Sequence, residues 1–100
     1  MNFKNTKYQV QYTKRFKKEF KKVLKQGKDE NKFLEVLSYI ANGKELDISY
    51  KNHKLVNDKT FKDCQECHIT PDWILVYKVH ENKLILLLFA TGSHSDLFKK

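Results

Sequence analysis

Cys64-Gln-Glu-Cys-His-Ile-Thr-Pro-Asp-Trp-Ile-Leu-Val-Tyr-Lys-Val79 is the stretch whose reading decides the fold. Cys64 to Ile69 reads as a strand. Thr70-Pro71-Asp72 supplies turn chemistry, because the proline ring pre-sets its own backbone angle. Trp73 to Val79, rich in β-branched and aromatic residues, returns as a second strand. His80-Glu-Asn-Lys83 is the next turn. Leu84 to Thr91 is a third strand, apolar on both faces and so expected near the centre of the sheet. Working back toward the start, Tyr8-Gln-Val-Gln-Tyr12 alternates and predicts a first strand. Thr13 follows as a helix cap. Tyr12, Phe16, Phe20, Val23 and Leu24 then recur at helical spacing and give one apolar stripe, with Gly27 as the stop. Asp29 or Asn31 can cap a second helix that holds Phe33, Leu34, Val36, Leu37, Ile40 and Ala41 and ends at Gly43. Leu46 to Phe61 reads as a long polar loop. The order predicts one α+β domain over residues 1–100. An N-terminal strand and an antiparallel helix hairpin precede an antiparallel three-stranded meander, with the helices on one sheet face.

Composition narrows the function classes. The 100 residues carry a formal net charge of +8, with 40% hydrophobic and 13% aromatic residues, enough for a modest core. Like charges weaken a compact state, so the excess points to a polyanionic partner, nucleic acid or an acidic protein. Arg15 is the only arginine. Lysine makes mobile point contacts to phosphate, whereas reading base edges favours arginine, so backbone binding is favoured over duplex sequence reading. Lys14, Lys17, Lys18, Lys21, Lys22, Lys25 and Lys28 form the face opposite the apolar stripe. That face is either a solvated helix surface or a stripe turned to phosphate. The segment after Met1 has no apolar signal core, and Leu84 to Ala90 is too short to span a bilayer, so neither export nor membrane insertion is expected. Two cysteines fit a reducing cytoplasm.

Cys64-Gln-Glu-Cys67 has the spacing of half a zinc or redox site, but no second ligand pair exists in the chain. Positions three apart in a strand point to opposite faces, so two unlinked strand cysteines are expected. His80 sits in a solvated turn. His68 near the end of one strand and Asp72 just past the turn can meet across the hairpin mouth. The ordinary reading is an aspartate that caps its own turn and an imidazole that packs on Trp73. The functional reading is a proton-transfer pair. His94 follows Gly92, which permits a sharp exit from the last strand. Phe98 must either cover the core or stack on something.

Taken together, Tyr50-Lys-Asn-His-Lys-Leu55, Phe61-Lys62, Glu66-Cys-His-Ile-Thr-Pro-Asp-Trp-Ile-Leu-Val-Tyr77 and Thr91-Gly-Ser-His-Ser-Asp-Leu-Phe98 resemble the YafQ-type branch of the RelE/ParE toxins of bacterial toxin–antitoxin pairs. The motifs span the C-terminal half, and the helix hairpin before them agrees with the family's order of elements. The resemblance implies a ribosome-dependent mRNA endonuclease that cuts codons in the A site, without metal or other cofactor. Its functional positions fall on His53, His68, Asp72, Trp73, His94 and Phe98. Phe61 stands where Trp is common and Gln65 where Arg is common, which bears on phosphate contact or codon preference.

The implied chemistry is attack by the RNA 2′-hydroxyl on the adjacent phosphate. Asp72, or His68 oriented by it, is expected as base and His94 as acid, with the acid and base roles interchangeable between the histidines. His53, with Lys54 and Lys62 nearby, is expected to support the phosphate charge. Trp73 and Phe98 would position a base or support the site by packing. The implied partners are an acidic or amphipathic antitoxin, the ribosome with its mRNA, and operator DNA through the antitoxin complex. A ParE-like toxin acting on gyrase, a non-catalytic RNA-binding module and a structural zinc domain are the rival readings.

Overall fold

The computed structural model describes residues 5–98; Met1 and the residues up to 4, with 99 and 100, lie outside them. The elements are β1 (Gln9–Tyr12), α1 (Lys14–Lys25), α2 (Glu30–Ala41), β2 (His53–Lys54), β3 (Gln65–Thr70), β4 (Trp73–His80), β5 (Ile85–Gly92) and α3 (His94–Leu97). They form one sheet in the order β1-β5-β4-β3-β2, in which β1 runs parallel to β5 and the other pairs are antiparallel. The expected α+β arrangement is present. The last strand is interior, between β1 and β4, but the middle position belongs to β4.

Local chemistry accounts for the helix limits. The Thr13 side chain accepts from the Phe16 N–H and caps α1, and Asp29, not Asn31, accepts from the Asn31 N–H and caps α2. Gly27 and Gly43 follow the two helices at φ of +91° and +72°, conformations that glycine adopts without a Cβ penalty. Phe16, Val23, Phe33, Val36, Leu37, Ile40 and Ala41 from the helices bury against Cys67, Ile69, Trp73, Leu75, Tyr77, Leu86 and Leu88 of the sheet. Phe33 lies between Phe20 and Trp73, with ring centroids 4.7 and 6.2 Å away. Tyr12 departs from the expected stripe: it closes β1 and stays 48% exposed.

The opposite sheet face is not bare. Phe61, Cys64, Ile74, Val76, Ala90 and Leu97 form a second cluster, flanked by Leu55, Phe89 and Phe98. A bulge makes this possible. Val76 pairs with Ala90 and Tyr77 with Leu88, so Phe89 is the extra residue. The insertion reverses the alternation along β5, sending Leu88 to the helix side and Ala90 to the other. The segment expected as a long loop contains a turn of 3₁₀ helix at Ile48–Tyr50 and the two-residue β2. It delivers Phe61, whose N–H is held by the Asp58 carboxylate, into this second cluster. The cysteines lie on opposite faces, Cys64 in the second cluster and Cys67 in the first, as their spacing predicted.

Candidate active site

The side chains that could move a proton collect on the sheet face turned away from α1 and α2. Side chains alternate along a strand, so Glu66 and His68 of β3 share a face with their partners Val76 and Ile74 of β4. Ile74 and Val76 belong to the second cluster. His53 of β2 stands directly opposite Glu66 in the ladder. Its Nε2 lies 2.7 Å from Glu66 Oε1, and its Nδ1 lies 3.1 Å from the Lys54 carbonyl oxygen. His68 Nε2 is 3.9 Å from the same Glu66 oxygen, beyond hydrogen-bond distance. His68 Nδ1 is 3.4 Å from the Pro71 carbonyl oxygen. His68 also borders an open hollow of about 310 Å³ with Lys32, Tyr50, Lys51 and Pro71.

His94 arrives at this face by a different route. His68 pairs with Ile74, and Ile74 with Gly92, so the three form one row across β3, β4 and β5. Strands lie about 4.8 Å apart, which makes that row roughly 10 Å long. His94 follows two residues beyond its end, as the first residue of α3. Ser93 caps this short helix reciprocally with Asp96, and Leu97 anchors it in the cluster that holds Ile74. Gly92 allows the close fit: a Cβ there would lie 3.3 Å from Asp96 Cβ. One turn of helix brings Phe98 beneath His94, with ring centroids 5.0 Å apart. Phe98 in turn packs edge-on to Phe61 at 5.6 Å, and the Arg15 guanidinium lies over Phe61 at 4.9 Å. His68 and His94 therefore lie on the same face and toward the same end of the sheet.

One expected contact is replaced by another. The Asp72 carboxylate does not orient His68. It accepts from Lys28 Nζ at 2.6 Å and from Thr70 Oγ1 at 2.8 Å. The Lys28 and Thr70 hydrogen bonds hold its carboxyl below the usual carboxylate range, which makes Asp72 a weaker base. For Trp73, expected either to position a base or to support the site by packing, the contacts are those of packing. It is 1% exposed in the helix-side core, and its Nε1–H donates to Thr91 Oγ1 at 2.8 Å, so it supports the hairpin by packing. Lys54 and Lys62 are exposed, Lys54 beside His53 and Lys62 beside Phe61. Sequence reasoning passed over two residues. Glu66 was legible as the residue two before His68, hence on the same strand face. Arg15 carried no local signal, because its approach to Phe61 depends on how α1 crosses the sheet.

The family model described as "Bacterial toxin of type II toxin-antitoxin system, YafQ" matches residues 8–99. The chain belongs to the YafQ family. This YafQ-family chain is 33% identical over 90 residues to the mRNA interferase toxin YafQ of Escherichia coli BL21-DE3, covering 89% of the chain and 94% of the relative. Its fold matches the toxin–antitoxin complex DinJ–YafQ of E. coli at a TM-score of 0.81 and 31% identity, over 92% of this chain and 98% of that one. A metal-bound toxin from Helicobacter pylori matches at 0.84 and 35% identity, over 91% and 99%. Among the described residues of the YafQ-family chain, no helix is long and apolar enough to cross a membrane, and no group of three or more His, Cys, Asp and Glu is arranged to hold a metal ion.

Proposed function

We propose that this type II toxin is an mRNA endoribonuclease that acts on messages in the ribosomal A site and uses the RNA's own 2′-hydroxyl as nucleophile. The observation that carries the reading is that His53 and His68 share one sheet face beside Glu66, and that α3, docked on that face through Leu97 and Phe98, carries His94. A gyrase poison or a passive RNA-binding module has no need for that convergence. The 2′-hydroxyl route needs a base, an acid and support for the phosphorane charge. His68 serves as base: its Nδ1 faces a carbonyl, which can only accept, so Nε2 keeps its lone pair. This takes the role from Asp72, which its ion pair with Lys28 leaves a poorer proton acceptor. His94 serves as acid toward the departing 5′-oxygen. His53, Arg15, Lys54 and Lys62 support the phosphate, and Phe98 stacks against a base or holds His94 in place. The products are a 2′,3′-cyclic phosphate and a free 5′-hydroxyl.

The E. coli relative forms a complex with DinJ. We read the partner of this chain as an antitoxin that is acidic or amphipathic, matching its +8 charge. Operator DNA would be bound through that complex, and free toxin would act in the cytoplasm, where ribosomes are. The test is in vitro translation of a defined mRNA. Cleavage should appear only in ribosome-bound message, persist when EDTA is added with free magnesium held constant, and leave a cyclic phosphate end. His94→Gln should abolish it while circular dichroism is unchanged. Wild-type cutting by that variant removes His94 from the chemistry.

A further inference from the structure

We infer that Glu66 is the positioning residue of this site, a buried carboxylate that holds His53 in one orientation and serves as counter-charge to His68 when that ring takes up a proton. The inference rests on the nuclease reading above and deepens it. Glu66 is only 6% exposed, and it sits between Gln65 and Cys67 with Val76 opposite it in the sheet. A buried carboxylate is costly unless paired and fully hydrogen-bonded. This one is half satisfied. Oε1 meets His53, while Oε2 is buried with no hydrogen-bond partner among the described residues. Val or Ile would suit the position better for stability alone, so a carboxylate there is explained by what it does to its neighbours.

The geometry defines that action. An ionised carboxylate and a carbonyl only accept, so the 2.7 Å contact to Glu66 places a proton on His53 Nε2, the 3.1 Å contact to the Lys54 carbonyl places one on Nδ1, and the two together fix the plane of a ring that donates from both nitrogens. His68 presents Nε2 to the same oxygen from 3.9 Å, too far for a hydrogen bond while that nitrogen is bare. In the cleavage step the 2′-oxygen bonds to phosphorus and its proton passes to His68 Nε2. The bond from phosphorus to the 5′-oxygen breaks, and that oxygen takes a proton from His94. The imidazolium then formed at His68 is a donor beside a carboxylate that needs only a small side-chain shift to accept from it. A buried acid beside a catalytic histidine works in the same way in hydrolase triads, orienting the ring and stabilising its charged form without accepting the proton itself.

Two variants and one spectroscopic measurement test this. Glu66→Gln keeps the shape but can no longer act as an acceptor-only anion, and Glu66→Asp keeps the charge on a shorter stem. Nitrogen-15 spectra of the histidine side chains report which ring nitrogen is protonated. The wild type should show His53 protonated at Nε2, and Glu66→Gln should lose that fixed assignment. In the translation assay, Glu66→Gln should lower kcat by roughly 100-fold with KM within twofold, and Glu66→Asp should restore part of the loss. A Glu66→Gln protein with wild-type kcat, or with a change confined to KM, overturns the inference. Should that variant fail to fold, wild-type spectra showing His53 protonated only at Nδ1 overturn it alone. A wild-type chain that cuts no message overturns the nuclease reading instead, and the spectra then decide whether Glu66 sets the ring.

Discussion

Trp73 gives the sharpest check on how this site is supported. It is the single tryptophan of the chain. It is 1% exposed, stacks on Phe33 at 6.2 Å and donates Nε1–H to Thr91 Oγ1, which donates in turn to the Ile74 carbonyl at 2.7 Å. Trp73→Phe removes one buried hydrogen bond, worth about 1 kcal/mol net. It also removes the packing of one ring, worth roughly another 1 kcal/mol. The expected loss of about 2 kcal/mol lowers Tm by roughly 8–16 °C in a chain of this length. Thr91→Val leaves the indole N–H buried and unpaired, at a cost of roughly 1–3 kcal/mol. The double variant should show coupling of about 1 kcal/mol in urea unfolding followed by circular dichroism. Assayed well below its Tm, Trp73→Phe should keep kcat and KM within twofold of wild type. Wild-type fluorescence should resist quenching by iodide and by RNA. A Tm change under about 2 °C, or a tenfold loss of kcat in folded Trp73→Phe, would refute the assignment of Trp73 to the core.

Further outcomes follow from the buried thiols, the hairpin ion pair and the last helix. Burial pushes the Cys67 thiol up to about 12 and raises Tyr77 as well. Above the ordinary thiol value of 9.0 the unfolded chain loses protons that the folded chain keeps, so stability should fall as pH rises past that point. A flat urea midpoint between pH 8 and 11 would contradict this. Neither cysteine should react with a thiol reagent at pH 8 until the protein is denatured. Lys28→Gln should move the Asp72 carboxyl titration upward, read by carbon-13 NMR, since the Lys28 hydrogen bond is the first cause of its depression; an unmoved titration rules out the ion pair in solution. Gly92→Ala should cost roughly 1–3 kcal/mol and reduce cleavage, because the new methyl crowds Asp96 and Leu97 and displaces the helix that carries His94. Unchanged stability and activity would mean that α3 is not held as described.

The sequence by itself determined the pieces that depend on near neighbours. Hydrophobic period marked α1, α2 and the strands β3, β4 and β5; Thr13, Gly27 and Thr70-Pro71-Asp72 marked their limits; and the spacing of Cys64 and Cys67 placed them on opposite faces. The motifs around His53, His68 and His94 also pointed to one family and one site. Tertiary structure alone decided what depends on pairing between distant segments. β2 is only two residues long and exists because His53 and Lys54 find β3, so it has no period of its own to read. The bulge at Phe89 sets which side chains of β5 face α3, and nothing local in Leu-Leu-Leu-Phe-Ala announces it. Asp72 looked like the partner of His68 because the two are close in sequence, but Lys28, distant in sequence, arrives from the connection between α1 and α2 and claims the carboxylate. Periodicity follows from bonds along the chain, whereas the partner of a buried or charged side chain is chosen by whichever distant segment the packing brings beside it.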